Sequence, residues 1–74
     1  MIHRYPYYED LTDRERQLIS IIVTGNTTNN EIAAALKISP RTVQTHLANI
    51  FLKTGARNKV DLVLMWLDGL IEIG

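Results

Sequence analysis

Five residues between positions 41 and 49 are of the types that proteins use to contact the edges of nucleic-acid bases. Gln and Asn amides can pair bidentately with adenine, Arg can reach guanine or phosphate, and Thr and Ala can contact the thymine methyl group. At about 100° per residue, all five fall outside the apolar side of a helix. The candidates for base contact are Arg41, Gln44, Thr45, Ala48 and Asn49.

The apolar side of this helix must face a hydrophobic core, because its residues recur at helical spacing. His46 lies at the edge of the apolar stripe, where a partly buried histidine that positions the helix is the ordinary interpretation. Gln, Thr and Asn are common on any exposed helix, but a merely solvated face would usually carry Asp or Glu, which this helix lacks. The stripe consists of Val43, Leu47, Ile50 and Thr54.

The net charge is zero, but the charges are unevenly distributed along the sequence. Residues 32–60 contain five basic residues and no acidic one, whereas the segments before and after them are acidic. Local charge sets the potential that a polyanion meets, so phosphate contacts are expected in this middle third. Five dispersed charges are also compatible with an ordinary solvated surface.

Length and composition describe one small domain that packing alone must hold together. Seventy-four residues, 46% of them hydrophobic, supply one core near the lower size limit. Without cysteine there is no disulfide or thiolate metal site, and the two histidines and capping acids indicate no metal, cofactor or enzyme active site. The sequence shows neither a signal peptide nor a membrane span. We expect a soluble intracellular domain with no membrane association and no small-molecule ligand.

Capping signals divide the chain into four helices, the third at about residues 40–54 and the fourth ending near Gly69. No alternating pattern of strand residues competes, so the fold class is all-α. Three residues join the second and third helices, which is typical of a helix-turn-helix, although an ordinary helical hairpin has the same spacing. The predicted starts are Thr12 with Glu15, Thr28 with Glu31, Ser39 with Pro40, and Asn58 with Asp61.

The segment "LTDRERQLISIIVTGNTTNNEIAAALKISPRTVQTHLANIFLKTGARNK" resembles the LuxR/GerE-type helix-turn-helix of bacterial transcription regulators. Matching features include "LT" and "RE" at the start, Gly25, "EIA", "IS", "TV" with His46, and Lys53 with Gly55. The resemblance covers about residues 11–69 and implies a tri-helical core plus a C-terminal dimerisation helix. Residues 1–10 are then an arm or linker, and residues 11–74 are a domain whose third helix enters the major groove of double-stranded DNA.

The resemblance also assigns contacts to individual residues. Gln44, Thr45 and Ala48 occupy positions that usually touch bases. Asn30 and Gln44 stand where the family often has lysine, so fewer phosphates are neutralised. Each lost phosphate contact lowers the slope of log K against log salt concentration by about 0.9. Thr54 replaces a leucine, Lys59 an arginine and Lys37 a frequent glycine. The expected phosphate contacts are Thr28, Asn30, Ser39, Lys53 and Arg57.

The fourth helix is too apolar to bury on one side only. Leu62, Val63 and Trp66 fit a core stripe, and a second stripe predicts a homodimer interface. Related domains dimerise in this way, which places two reading helices on successive major grooves of an inverted repeat. Alternatively, the N-terminal segment or a further domain covers this second stripe. The second stripe consists of Val60, Leu64 and Leu67.

The predicted function is sequence-specific DNA binding by a bacterial transcription regulator in the cytoplasm, at the nucleoid, with RNA polymerase as a further partner. One alternative is a promoter-reading domain like region 4 of sigma factors, which share an "EIA…IS…TV" core. Those domains tend to carry serine-arginine where Thr45 and His46 stand here, and they lack the dimer helix. Another alternative is a helix-turn-helix retained only for protein–protein interaction.

Overall fold

The computed structural model describes residues 11–25 and 28–71 as four helices, so the predictions for residues 1–10 and 72–74 lie outside the described residues. Within those ranges there is no strand, and the all-α prediction is confirmed. Helix α3 packs against α1 and α2, and α4 packs against α1. The helices are α1 (Asp13–Gly25), α2 (Asn29–Leu36), α3 (Pro40–Thr54) and α4 (Lys59–Leu67).

Both predicted capping boxes are present. The Thr12 amide donates to Glu15 Oε1 over 2.9 Å, and the Glu15 amide donates to Thr12 Oγ1 over 3.1 Å. The same exchange links Thr28 and Glu31 over 2.8 and 3.2 Å. Each box satisfies two backbone donors that a helix start would otherwise leave unpaired, so α1 and α2 begin where these residues stand.

The turn of the helix-turn-helix is closed by a lysine in the left-handed region. Lys37 has φ 59° and ψ 44°. Its amide donates to the Ala34 carbonyl over 3.3 Å, and the Ile38 amide donates to the Ala33 carbonyl over 3.0 Å. This is the Schellman arrangement, which usually employs glycine because a β carbon is strained at such angles. Ser39 then caps α3 by accepting the Thr42 amide over 3.1 Å.

The core forms where the inner faces of the four helices meet. The predicted α3 stripe is buried throughout, from Val43 to Thr54. Thr54 is tolerated there because its Oγ1 donates to the Ile50 carbonyl over 2.8 Å and accepts the Ala56 amide over 3.2 Å.

On α4 the sequence prediction was partly wrong. Leu62 is buried as expected, but its buried partner on α4 is Met65, whereas Trp66 is only half-buried. Residues three and four positions after Leu62 lie on opposite sides of its line along the helix. The angle at which α4 meets α1 therefore decides which of the two is buried, and spacing alone does not fix that angle.

Candidate nucleic-acid interface

The side of α3 opposite its buried stripe is exposed along its length. Arg41, Gln44, Thr45, Ala48 and Asn49, the predicted base contacts, are all exposed. The first and the last are eight positions apart, which is about 12 Å along the helix axis. His46, at the edge of the buried stripe, is half-buried as predicted. The fold therefore brings all five candidates onto one accessible face.

Thr45 has limited hydrogen-bonding capacity on this face. Its hydroxyl donates to the backbone carbonyl of Arg41 over 3.2 Å. A threonine that bonds back to the preceding turn has no hydroxyl hydrogen left for another acceptor. Thr45 can therefore offer a base only its oxygen lone pairs and its methyl group.

The start of α3 is exposed and carries no acidic residue in its first turn. Ser39 Oγ lies 2.9 Å from Thr42 Oγ1 and accepts the Thr42 amide. Pro40 has no N–H and the Thr42 amide is taken by the cap, so the Arg41 amide and the positive end of the helix dipole are what favour an anion here. The surroundings of Ser39 therefore suit the phosphate contact predicted for it.

The start of α2 is less favourable for phosphate than the sequence suggested. Thr28 and Asn30 are exposed there. The Thr28 hydroxyl, however, serves the cap and points its own hydrogen at Glu31 Oε1, 3.3 Å away. The Glu31 carboxylate also places a negative charge beside the predicted contact. Asn30 retains an exposed amide that can donate.

Lys53 is held by a carboxylate from a distant part of the chain. Its Nζ lies 2.8 Å from Glu15 Oε1, and the side chains are 28% and 4% exposed. Burial raises the pKa of Glu15, but hydrogen bonds from Lys53 and the Thr12 amide, with the charges of Lys53 and His46, hold it below its ordinary value. The pair joins the start of α1 to the last turn of α3. Lys53 thus has a positioning role that sequence analysis missed.

Arg57 is also paired with an acid. Its Nε donates to Asp61 Oδ2 over 2.9 Å, and its backbone amide donates to the same oxygen over 3.0 Å. The hydrogen bond with Arg57 holds the pKa of Asp61 below its ordinary value, and the same bond raises the pKa of Arg57. The Arg57 side chain remains 84% exposed, so a phosphate can still approach its free edge.

These two ion pairs change the electrostatics inferred from the sequence. The segment 32–60 has no acidic residue of its own, yet Glu15 and Asp61 from either side of it neutralise Lys53 and Arg57. Among residues 11–25 and 28–71, Lys37 and Arg41 are exposed basic residues without an ion pair. Any positive potential at the exposed face of α3 therefore depends strongly on its N-terminal end.

An open groove is lined by residues of α2, α3 and the start of α4. It has a volume of about 700 Å³ and runs between the starts of α2 and α4. Leu47 and Phe51 of α3 line it between Asn30 on one side and Arg57 on the other. Three predicted phosphate contacts, Thr28, Asn30 and Arg57, therefore line one groove, although Arg57 is far from the other two in sequence.

The second stripe of α4 is exposed, as the dimer prediction requires. Val60, Leu64 and Leu67 are 66%, 52% and 66% exposed. These are large apolar side chains at i, i+4 and i+7, so they lie on one side of the helix. No other part of residues 11–25 and 28–71 covers them.

Two further findings concern the described residues only. Within residues 11–25 and 28–71, no group of His, Cys, Asp and Glu side chains is arranged to hold a metal ion. None of the four helices that these residues form has the length and apolar composition to cross a membrane.

The three-residue turn between α2 and α3, with the exposed polar face of α3, defines a helix-turn-helix domain. The family model described as bacterial regulatory proteins, luxR family, matches residues 9–66. The chain therefore belongs to the luxR family of bacterial regulatory proteins. It is a domain of DNA-binding transcription regulators and not an enzyme.

Individual relatives support this assignment. The chain is 46% identical over 61 residues to the transcriptional regulatory protein FixJ of Rhizobium meliloti, covering 82% of this chain and 29% of FixJ. It is 43% identical over 61 residues to the transcriptional regulatory protein UhpA of Escherichia coli, covering 82% and 31%. The chain thus spans less than a third of the length of these curated relatives. No solved structure matches it.

Proposed function

We propose that this domain binds double-stranded DNA sequence-specifically, with α3 in the major groove, as the reading part of a bacterial transcription regulator. The observation that carries the proposal is the exposed face of α3, where five side chains suited to base edges lie opposite a buried stripe. A helix with its side chains is about 10–12 Å across, and the major groove is about 12 Å wide. Membership of the luxR family supports the same function.

We propose that a single domain binds the DNA backbone with low affinity. Phosphates would contact the exposed starts of α2 and α3 and the accessible edges of the basic side chains. Because carboxylates partly neutralise Lys53 and Arg57, the side chain and the backbone amide of Arg41 carry a larger share of the attraction. The proposed phosphate contacts are Thr28, Asn30, Ser39, Lys53 and Arg57.

A homodimer through α4 would compensate for that low affinity. The exposed stripe from Val60 to Leu67 is apolar and can pack against its copy in a two-fold arrangement. The two α3 helices would then read successive major grooves, about 34 Å apart, on an inverted repeat. We place this activity in the bacterial cytoplasm, at the nucleoid, with RNA polymerase as a further partner.

The first test is the salt dependence of binding to a half-site selected from random duplexes. The logarithm of the association constant should fall linearly with the logarithm of the salt concentration, and Arg41→Glu should lower the slope by about 0.9 or more. Arg14→Glu, which makes the same change of charge at an exposed position on α1, is the matched control. A slope near zero that Arg41→Glu leaves unchanged would refute DNA binding and favour a helix-turn-helix retained for protein contacts.

The second test concerns base reading. Gln44→Ala or Thr45→Ala should reduce discrimination between the selected site and single-base variants, by about 1–3 kcal/mol at the affected position. Binding to unrelated duplexes should change much less. Equal weakening on every sequence would mean that neither side chain reads bases.

The third test concerns the dimer. Leu64→Asp combined with Leu67→Asp should leave the helical content and single half-site binding intact, because both side chains are exposed. The same variant should lose cooperative binding to two half-sites. A parent protein that stays monomeric in sedimentation at high concentration, and that binds half-sites independently, would contradict the interface. That result would also favour the sigma-factor-like alternative, which lacks a dimer helix.

A further inference from the structure

Leu52 is exposed on the same face of α3 as the proposed base contacts. Its exposed fraction is 79%, more than that of the other exposed large hydrophobic residues in the described part of the chain, which are all on α4. At 100° per residue it lies about 20° from Thr45 and about 40° from Ala48 around the helix axis. Leu52 therefore stands on the centre line of the exposed face, opposite the buried stripe.

Along the centre line of this face, the residues that precede Leu52 offer methyl groups, while the polar side chain of Asn49 lies to one side of it. Ala48 offers a methyl group one turn earlier, and the Thr45 hydroxyl donates its hydrogen to the Arg41 carbonyl over 3.2 Å, leaving the methyl group of Thr45 for contact. The three residues follow one another at spacings of three and four, so they form a continuous strip along the helix. The polar candidates Arg41 and Gln44 lie towards the N-terminal end, whereas Asn49 lies beside the strip, three residues before Leu52.

An apolar strip has a specific complement in the major groove. A leucine gains nothing against a phosphate, whose charge must stay hydrated or paired, and base hydrogen-bonding edges would be left unsatisfied against it. The 5-methyl group of thymine is the apolar group that the major groove presents. A Leu–methyl contact removes both groups from water, which favours association.

We propose that Leu52, together with Ala48, is a specificity-determining contact for a pyrimidine 5-methyl group. The inference rests on the proposed entry of α3 into the major groove and adds a base preference to it. Leu52 lies seven residues, about 10 Å, beyond Thr45 along the helix axis. The methyl group then lies at most about three base pairs from the base nearest Thr45, since base pairs are spaced by about 3.4 Å along the DNA axis.

The experiment replaces thymine by deoxyuridine, one position at a time, in the selected half-site. Deoxyuridine lacks only the 5-methyl group and keeps the base pair. At one position the replacement should weaken binding of the parent protein by about fourfold, the effect of one buried methylene-sized group. Leu52→Ala should bind both duplexes equally at that position, and Leu52→Met, which keeps an apolar side chain, should retain most of the difference.

Two variants serve as controls. Leu64→Ala makes the same truncation at an exposed leucine of α4 and should leave the thymine-to-deoxyuridine ratio unchanged, whatever it does to dimer formation. Gln44→Ala should change preference at a different base pair and so reports on groove reading by itself. Circular dichroism should be the same for Leu52→Ala and the parent, because Leu52 contributes little to the core.

The outcomes separate the inference from the function on which it rests. A parent protein that is insensitive to every deoxyuridine replacement, or a Leu52→Ala variant that keeps the parent pattern, overturns the methyl contact. If Gln44→Ala still changes base preference in that case, groove reading by α3 stands without Leu52. If no duplex is bound above background, both proposals fail together.

Discussion

Replacing Lys53 by methionine should destabilise the fold, and this effect is independent of any contact that Lys53 makes with DNA. Methionine keeps the apolar stem of lysine and removes the ammonium group that lies 2.8 Å from Glu15 Oε1. Glu15 would then remain as a carboxylate that is only 4% exposed, with the Thr12 amide as its remaining hydrogen-bond donor of those described. A buried charge that loses its partner is costly, so the substitution should lower the free energy of unfolding.

The magnitude follows from the geometry of the pair. Hydrogen bonds to charged groups contribute about 1.5–3 kcal/mol. Because the Lys53 side chain is 28% exposed, water screens part of that interaction, and we expect a loss of about 2 kcal/mol. For a domain of this size, that corresponds to a fall in melting temperature of about 10 °C. Urea denaturation followed by circular dichroism at pH 7 measures the change.

The pH dependence gives an independent check of the sign of this stability change. The net lowering of the Glu15 pKa in the folded state means that the pair stabilises the fold above the unfolded-state value of about 4.5. This stabilisation is lost as the pH falls through the still lower pKa of the folded state. Lys53→Met removes a hydrogen bond and a charge that lower the pKa of Glu15, while the burial that raises this pKa remains. The difference in the free energy of unfolding between the parent and Lys53→Met should therefore shrink steadily as the pH falls below about 4.5.

A double-mutant cycle supplies the controls. Glu15→Gln keeps an oxygen that can accept the Thr12 amide and so preserves the capping box. In that background Lys53→Met should have little effect, since no buried carboxylate remains. Arg57→Met breaks the exposed pair with Asp61 and should destabilise the fold much less. Equal effects of Lys53→Met and Arg57→Met at pH 7, or additivity in the cycle, would refute the role assigned to Glu15.

Three further substitutions test local features by the same denaturation measurement. Lys37→Gly should raise the free energy of unfolding by about 0.5–1 kcal/mol, because it relieves a β carbon at φ 59°, whereas Lys37→Ala should not. Thr54→Val should lower it by about 1–3 kcal/mol, because the Ala56 amide loses its acceptor, and Thr54→Ser should lower it less. Ser39→Ala should lower the free energy of unfolding by about 1 kcal/mol, because α3 loses its N-cap, and Ser39→Asp should restore the stability. An unchanged stability in Ser39→Ala would contradict the capping role.

Local signals in the sequence predicted most of this fold. Capping boxes involve partners three residues apart, so Thr12 with Glu15 and Thr28 with Glu31 could be identified without tertiary information. The buried side of α3 followed from its spacing, because a helix of fifteen residues has enough turns to define one direction. Helix α4 has only nine residues, and there the same reasoning chose Trp66 where Met65 is buried.

Contacts between distant residues could not be predicted in this way. Glu15 and Lys53 are separated by 38 positions, and the capping role of Glu15 already accounts for its presence. Nothing in the sequence indicates that one carboxylate oxygen serves both the Thr12 amide and Lys53. The distribution of charge along the chain therefore gave an incomplete description of charge in space.

This charge arrangement bears on how the domain would achieve affinity. If Glu15 and Asp61 neutralise Lys53 and Arg57, few unpaired cations remain beside α3, and a single domain can release few counterions from DNA. Joining two copies makes the second binding event intramolecular, which raises the overall affinity without new charges. The exposed α4 stripe supplies an apolar surface for such a union. If the proposed phosphate contacts and the proposed α4 dimer are both correct, they are complementary: such a domain would bind a single half-site weakly and an inverted repeat more tightly.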